Sequence, residues 1–267
     1  MNDDLRSDAR WIFHIGHVGS TLVSRLLGEI EGVLAVREPR LLRDLALTPS
    51  EIRQRYIEPV AKLMSRTFAE PEIACVKATS FASEIADALL PSGERALFMY
   101  ATPGNYVASI LAGENSLKEL HLLAGSRSQR LNSRDIYLPT QNDAGLAAAA
   151  WACEMTALEH TADRLVDRAI EWSDFDAMLG DMEPTLRRIG MFFGFETGQI
   201  SDIASGPLIH RYSKALEHDY SATLRRELIG EASERSSTEI KGALAMLESA
   251  AEKSPLLARA LARAREG

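Results

Sequence analysis

The chain has 267 residues, with 30 Lys and Arg against 38 Asp and Glu, so the formal net charge is −8. Hydrophobic residues make up 46%, charged residues 25% and aromatics 6%, which excludes a collagen, a disordered chain, a long coiled coil and a duplex-wrapping basic protein. Such a length can bury a core unaided, and Leu, Ala, Ile and Val must fill most of it.

Trp11 to Ile15 reads as a short buried strand, followed by a small, turn-prone stretch from Gly16 to Ser20. Thr21 to Ile30 places Leu22, Leu26, Leu27 and Ile30 at helical spacing. Val33 to Val36 predicts a second strand, ended by Arg37-Glu38-Pro39. Thr48-Pro49-Ser50-Glu51 has the form of a capping box with proline at the first helical position, opening a helix toward Phe68. Ile73 to Val76 predicts a third strand, and Ala82 to Leu90 a helix stopped by Pro91-Ser92-Gly93. Ala96 to Tyr100 predicts a fourth strand, with a helix beyond Pro103-Gly104 through Leu111.

The second half is mainly helical. Ser126 to Arg134 reads as a polar loop or helix end carrying Arg127, Arg130 and Arg134, a basic group that is either a solvated face or a contact for an anionic acceptor. Ala144 to Ala162 is an Ala-rich helix, Ala169 to Trp172 a strand, and Glu183 to Phe193 an amphipathic helix that Gly194 can cap. Ser201 to Tyr220 reads as a long ordered loop, and Glu239 to the end as a helix interrupted near Pro255. Alternating strands and helices with short links predict an α/β fold of three layers, with a mainly parallel central sheet and a helix-rich C-terminal half. A single domain over 1–267 is expected, its sheet core at about 11–195 and its C-terminal loop and helices at 196–267.

Cys75 and Cys153 lie far apart with neither metal nor redox spacing and read as core thiols of a reducing compartment. No apolar stretch precedes Trp11, and the most apolar window, Leu146 to Leu158, is broken by Glu154 and too short for a membrane span. A soluble, cytoplasmic protein is expected.

The segment from Phe13 to Leu22 links a predicted strand to a predicted helix. Such a turn leaves backbone N–H groups unpaired at the positive end of the helix dipole, suited to a phosphate or sulfate. Gly16 and Gly19 allow close approach of an anion, and the Ser20 and Thr21 hydroxyls add donors. Gly19 stands where the Walker A motif has lysine. A glycine-rich link of this kind also occurs as a purely structural turn.

This segment resembles the phosphosulfate-binding loop of sulfotransferases, which share a P-loop-like α/β fold and use 3′-phosphoadenosine 5′-phosphosulfate as donor. Val33 to Pro39 resembles the second strand of the Golgi-type and bacterial branches, and Glu38 stands at the position of the general base of protein-tyrosine sulfotransferases. Cys75-Val76-Lys77 resembles the third strand, whose terminal lysine stabilises the transferring group. Leu97 to Ser109 resembles the strand, turn and helix that bind the donor's 3′-phosphate, with Ser109 at the family serine. Glu171 to Asp176 and Glu183 to Gly194 resemble the later strand and the closing helix. The family's loop Lys or Arg corresponds to His17, and its Arg eight residues before the serine to Ala101.

The resemblance implies a sulfotransferase acting on a hydroxyl or amine of a small molecule or glycan, with no metal and no nucleic-acid partner. Glu38, Lys77 and His17 are the candidate catalytic residues. Gly16, His17, Val18, Gly19, Ser20, Thr21 and Ser109, with Arg211 and Lys214 from the late loop, are the candidate donor-binding residues. Each has a plainer alternative: Glu38 as a helix-start charge, Lys77 as a surface lysine, and Arg211 and Lys214 as a solvated turn. Another P-loop-like nucleotide binder such as a kinase, or a fold relative without catalysis, are the competing functions.

Overall fold

The computed structural model describes residues 6–90, 94–165, 169–210 and 222–266. The candidate late-loop residues Arg211 and Lys214 lie outside them. The chain forms two compact units, Met1–Met99 with Thr161–Tyr220, and Tyr100–His160 with Ser221–Gly267.

The first unit is built on strands β1 (Arg10–His14), β2 (Val33–Arg37), β3 (Ile73–Lys77), β4 (Arg95–Tyr100) and β5 (Ala169–Asp174). They form one sheet in the order β2-β3-β1-β4-β5, and β1–β3, β1–β4 and β2–β3 pair in parallel. This is the expected α/β class. Trp11, Ile12 and Phe13 of β1 are buried almost completely, as a strand central to a parallel sheet requires. Although aromatics are scarce, they are concentrated here. Trp11 and Phe13, two residues apart on one face, stack at 5.7 Å; Phe13 meets Phe98 edge-on at 5.8 Å, and Phe98 meets Trp172 at 5.0 Å. Each such pair adds about 0.5–1.5 kcal/mol beyond its buried area, so β1, β4 and β5 are joined by side chains as well as by their backbones.

The first unit also holds α1 (Ser20–Leu27), α2 (Arg40–Leu47), α3 (Ser50–Met64), a 3₁₀ segment (Ser80–Ile85) and the single turn α4 (Ala86–Leu89). The predicted helix from Ala82 is therefore divided between the end of the 3₁₀ segment and the single α-helical turn α4. The capping box at Thr48 does not form: Thr48 ends α2, its hydroxyl donating back to Asp44 O at 2.8 Å, and α3 starts without a side-chain cap.

The second unit contains α5 (Pro103–Leu111), α6 (Glu114–Asn132) and α7 (Asp143–Arg164) as far as His160. Arg127 and Arg130 lie on α6 and reach a Glu154 that is wholly buried: Arg130 holds it with a two-pronged pair at 3.0 and 2.8 Å, and Arg127 Nε stands at 3.4 Å. The solvated basic face is thus replaced by an internal ion cluster, which a carboxylate can enter only when paired. In the first unit β5 is followed by α8 (Phe175–Gly180), α9 (Met182–Phe193) and α10 (Ile200–Ser205), and then a 3₁₀ segment (Pro207–His210). Gly194 ends α9 in the left-handed region at φ +76°, as expected. The expected loop from Ser201 is helical over its first part; the rest of it, from 211, lies outside the described residues. The second unit closes with α11 (Ala222–Arg235), α12 (Ser237–Ala251) and α13 (Pro255–Glu266), whose first residue is the interrupting proline.

Two packing facts yield tests. Cys75 and Cys153 are fully buried, and burial pushes the Cys75 thiol up to about 12 against the opposing charge of Arg10. Because only a thiolate reacts, neither thiol of the native protein should react with a thiol reagent at about pH 8, whereas both should after unfolding; a native thiol that reacts at once contradicts this. Gly19, at φ +59°, lies so close to Phe175 that a Cβ there would fall 1.8 to 2.5 Å from three ring carbons. Phe175 is itself pinned, since the preceding Asp174 accepts the Asp176 and Ala177 amides at 2.8 and 3.0 Å. Gly19→Ala should lower thermal stability by about 2–3 kcal/mol and Phe175→Leu in the same chain should restore part of it; additive losses would show that the ring is not the obstacle.

Candidate functional site at the sheet edge

Past β1 the chain stays attached to β4 for one more residue, Ile15 N–H reaching Met99 O at 3.3 Å. It then leaves the sheet through left-handed backbone at Gly16 (φ +83°), His17 (φ +54°) and Gly19 (φ +59°). Val18, between them, is fully buried and anchors the loop. α1 begins with no side-chain cap, and Val23 N–H to Gly19 O, at 3.2 Å, closes its first turn. The amides of Ser20, Thr21 and Leu22 therefore have no intrahelical partner and stand at the positive end of the helix dipole.

Beside this loop the ends of β1, β2 and β3 meet, because the registers pair Arg37 and Ile12 with Lys77 from either side. Lys77 ends β3 with its side chain 2% exposed. Its Nζ donates to Thr21 Oγ1 at 3.0 Å and to Glu38 Oε1 in a short ion pair. Taking an ammonium out of water costs several kcal/mol unless an opposite charge compensates, and Glu38 supplies that charge. The Glu38 side chain is 49% exposed, so the carboxylate meets the buried cation on one side and solvent on the other.

Glu38 is gripped twice, since its N–H also donates to Lys77 O at 2.8 Å. Its φ is +47°, a left-handed conformation for a residue with a side chain and a following proline. Strain of this kind costs on the order of 1–3 kcal/mol and survives only where surrounding contacts determine it. At Glu38 those contacts are the two bonds to Lys77.

His14 completes the edge. It ends β1 and is 5% exposed; its Nδ1 accepts the Gly16 N–H at 3.0 Å, and its Nε2 stands 2.9 Å from Ala78 O and 3.8 Å from Glu38 Oε1. Read from sequence, His14 is a strand residue of structural type; the available signal was a polar side chain ending an otherwise apolar strand two residues before a glycine.

The structure brings Gly16, His17, Val18, Gly19, Ser20 and Thr21 to one sheet edge with Glu38 and Lys77. Burial removes the reading of Lys77 as a surface lysine. Ser109 belongs to the second unit, where its hydroxyl donates to Tyr106 O at 2.8 Å within α5. Ala101 is fully buried in that unit, and its carbonyl accepts Trp151 Nε1–H at 2.9 Å. Among the described residues no helix is long and apolar enough to cross a membrane, and no cluster of three His, Cys, Asp or Glu side chains is placed to hold a metal ion. The edge thus offers an anion a set of amides and hydroxyls and one buried cation, with a solvent-facing carboxylate that can accept a proton.

No protein-family model matches the sequence, and no curated protein does. Solved structures do resemble it. The sulfotransferase domain from the curacin biosynthetic pathway superposes with a TM-score of 0.55 at 12% identity, over 86% of this chain and 97% of that domain. The sulfotransferase domain of the Synechococcus PCC 7002 olefin synthase gives 0.46 at 15% identity, over 75% and 78%. The sulfotransferase from Alicyclobacillus acidocaldarius gives 0.41 at 12% identity, over 88% and 96%. On the first of these likenesses, the chain has the fold of a sulfotransferase domain.

Proposed function

We propose that the protein is a sulfotransferase that moves a sulfuryl group from 3′-phosphoadenosine 5′-phosphosulfate to the hydroxyl or amine of a small molecule or glycan. The observation that carries this reading is the meeting of Thr21, Lys77 and Glu38 beside a left-handed loop at the C-terminal edge of a parallel sheet, where open α/β folds bind ligands. The edge fits an anionic donor, because the Ser20, Thr21 and Leu22 amides lie outside the helical bonding pattern and Lys77 holds its charge at low exposure.

The donor supplies an activated sulfuryl group whose bond to the phosphate oxygen breaks as the acceptor oxygen or nitrogen bonds to sulfur. Glu38 takes the proton that the acceptor loses. Lys77, with the loop amides and His17, stabilises the negative charge that grows on the departing phosphate oxygen, which leaves in adenosine 3′,5′-bisphosphate. Lys77 must exchange part of its contact with Glu38 for the donor, and that exchange frees the carboxylate to act as base. Ser109, Arg211 and Lys214 are assigned to the 3′-phosphate by resemblance.

Calorimetry with adenosine 3′,5′-bisphosphate tests the donor site, and labelled-sulfur transfer to a panel of hydroxyl and amine acceptors tests the chemistry. The native protein should bind the nucleotide; no heat at about 1 mM, a weak-binding limit, would falsify the reading. Glu38→Gln should keep nucleotide affinity within about threefold and lose about 10²–10⁴-fold in transfer. Undiminished turnover in that variant removes Glu38 as the base.

A further inference from the structure

The His14 ring makes two hydrogen bonds of opposite sense. A backbone amide only donates and a carbonyl only accepts. The Gly16 N–H at 3.0 Å therefore requires a bare Nδ1, and Ala78 O at 2.9 Å requires the hydrogen on Nε2. These two bonds together are met by the neutral Nε2–H form of the ring. At 5% exposure, water is a poor substitute for either partner.

The Nδ1 bond has the connectivity of an Asx-turn, a side-chain acceptor holding the amide two residues ahead. It acts on Gly16, the first residue of the left-handed stretch that includes His17 and Gly19. The Nε2 bond fastens the same ring to the residue after Lys77. Ala78 is held in turn by its own N–H to Ile12 O at 2.9 Å. One side chain therefore braces the start of the loop against the end of β3.

We propose that His14 is the positioning residue of the anion loop: as the neutral Nε2–H tautomer it clamps the Gly16 peptide to Ala78 and so fixes the backbone that offers its amides to the donor's phosphosulfate. This rests on the reading of the loop as an anion site. His14 brings no charge to the ligand and acts only through the loop backbone. A second proton, on Nδ1, would face the Gly16 N–H and break the clamp. Glu38, from the end of β2, stands 3.8 Å from Nε2, and Lys77 of β3 pairs with that Glu38.

Nitrogen NMR of the imidazole in the ligand-free full chain reads the tautomer directly. The expected state is Nε2–H with a bare Nδ1; an Nδ1–H tautomer, or an imidazolium at about pH 7.5 where histidine is ordinarily neutral, overturns the proposal whether or not any nucleotide binds. Two substitutions then separate the bonds. His14→Asn keeps an acceptor where Nδ1 was, and His14→Gln keeps a nitrogen donor near the Nε2 position without the acceptor. The Asn variant should hold adenosine 3′,5′-bisphosphate within about threefold of the native affinity and the Gln variant should lose about tenfold, the scale of one buried hydrogen bond. Equal losses, or none in either, reduce His14 to a packing residue and overturn the proposal. If the native protein gives no binding heat, the donor-site reading fails and Gly16 amide exchange decides the clamp. That amide should be protected in the native chain and in His14→Asn and should exchange quickly in His14→Gln; equal protection in all three refutes it. Should a variant fail to fold, the tautomer measured in the native chain stands as the test.

Discussion

The ammonium of Lys77 is 2% exposed, and much of the sheet edge can be understood as the conditions that make that burial tolerable. It needs a counter-charge, which Glu38 gives, and a further acceptor, which Thr21 gives. Meeting the first need holds Glu38 in a left-handed conformation just past β2. Meeting the second ties the start of α1 to the end of β3. The parallel register of β2 on β3 is what brings Arg37, and so the residue after it, alongside Lys77.

Charge in this protein therefore matters locally. With a net charge of −8, a polyanion gains nothing from the surface as a whole. At the edge, Lys77 is already matched by Glu38, so in the proposed reading the attraction for an anion comes from oriented amides and from the start of α1 as much as from any side chain. These amides follow left-handed turns at Gly16 and Gly19, and the His14 ring accepts the Gly16 N–H; if the proposed positioning holds, such dipoles need little reorganisation on binding. Of the pair, the carboxylate is the half-exposed member that meets solvent, whereas Lys77 is buried.

Much of this was legible in the sequence for identifiable reasons. Short apolar runs between turn signals gave β1 to β4 to within a residue or two, because a buried parallel sheet has to be apolar on both faces. Glu38 and Lys77 were legible as charged residues ending apolar strands. What could not be seen depends on contacts between distant segments. The buried Glu154 turned an apparently solvated arginine group into an internal ion cluster. Phe175 made Gly19 a packing requirement as well as a conformational one. Thr48 chose the helix behind it over the one ahead, a competition between local hydrogen bonds that a motif does not decide. His14 was hidden because a buried histidine in a strand is ordinarily structural, and only the partners of its two nitrogens suggest the positioning role proposed for it.

The central claim is that one sheet edge, made of the Gly16–Thr21 loop, Lys77 and Glu38, receives the phosphosulfate of a nucleotide donor. A crystal structure of the protein with adenosine 3′,5′-bisphosphate tests it most directly. The account predicts the 5′-phosphate on the amides at the start of α1, with Lys77 Nζ turned toward it and the Glu38 carboxylate released to solvent. A nucleotide bound elsewhere, or bound with the Lys77–Glu38 pair untouched and the loop amides bare, would contradict it.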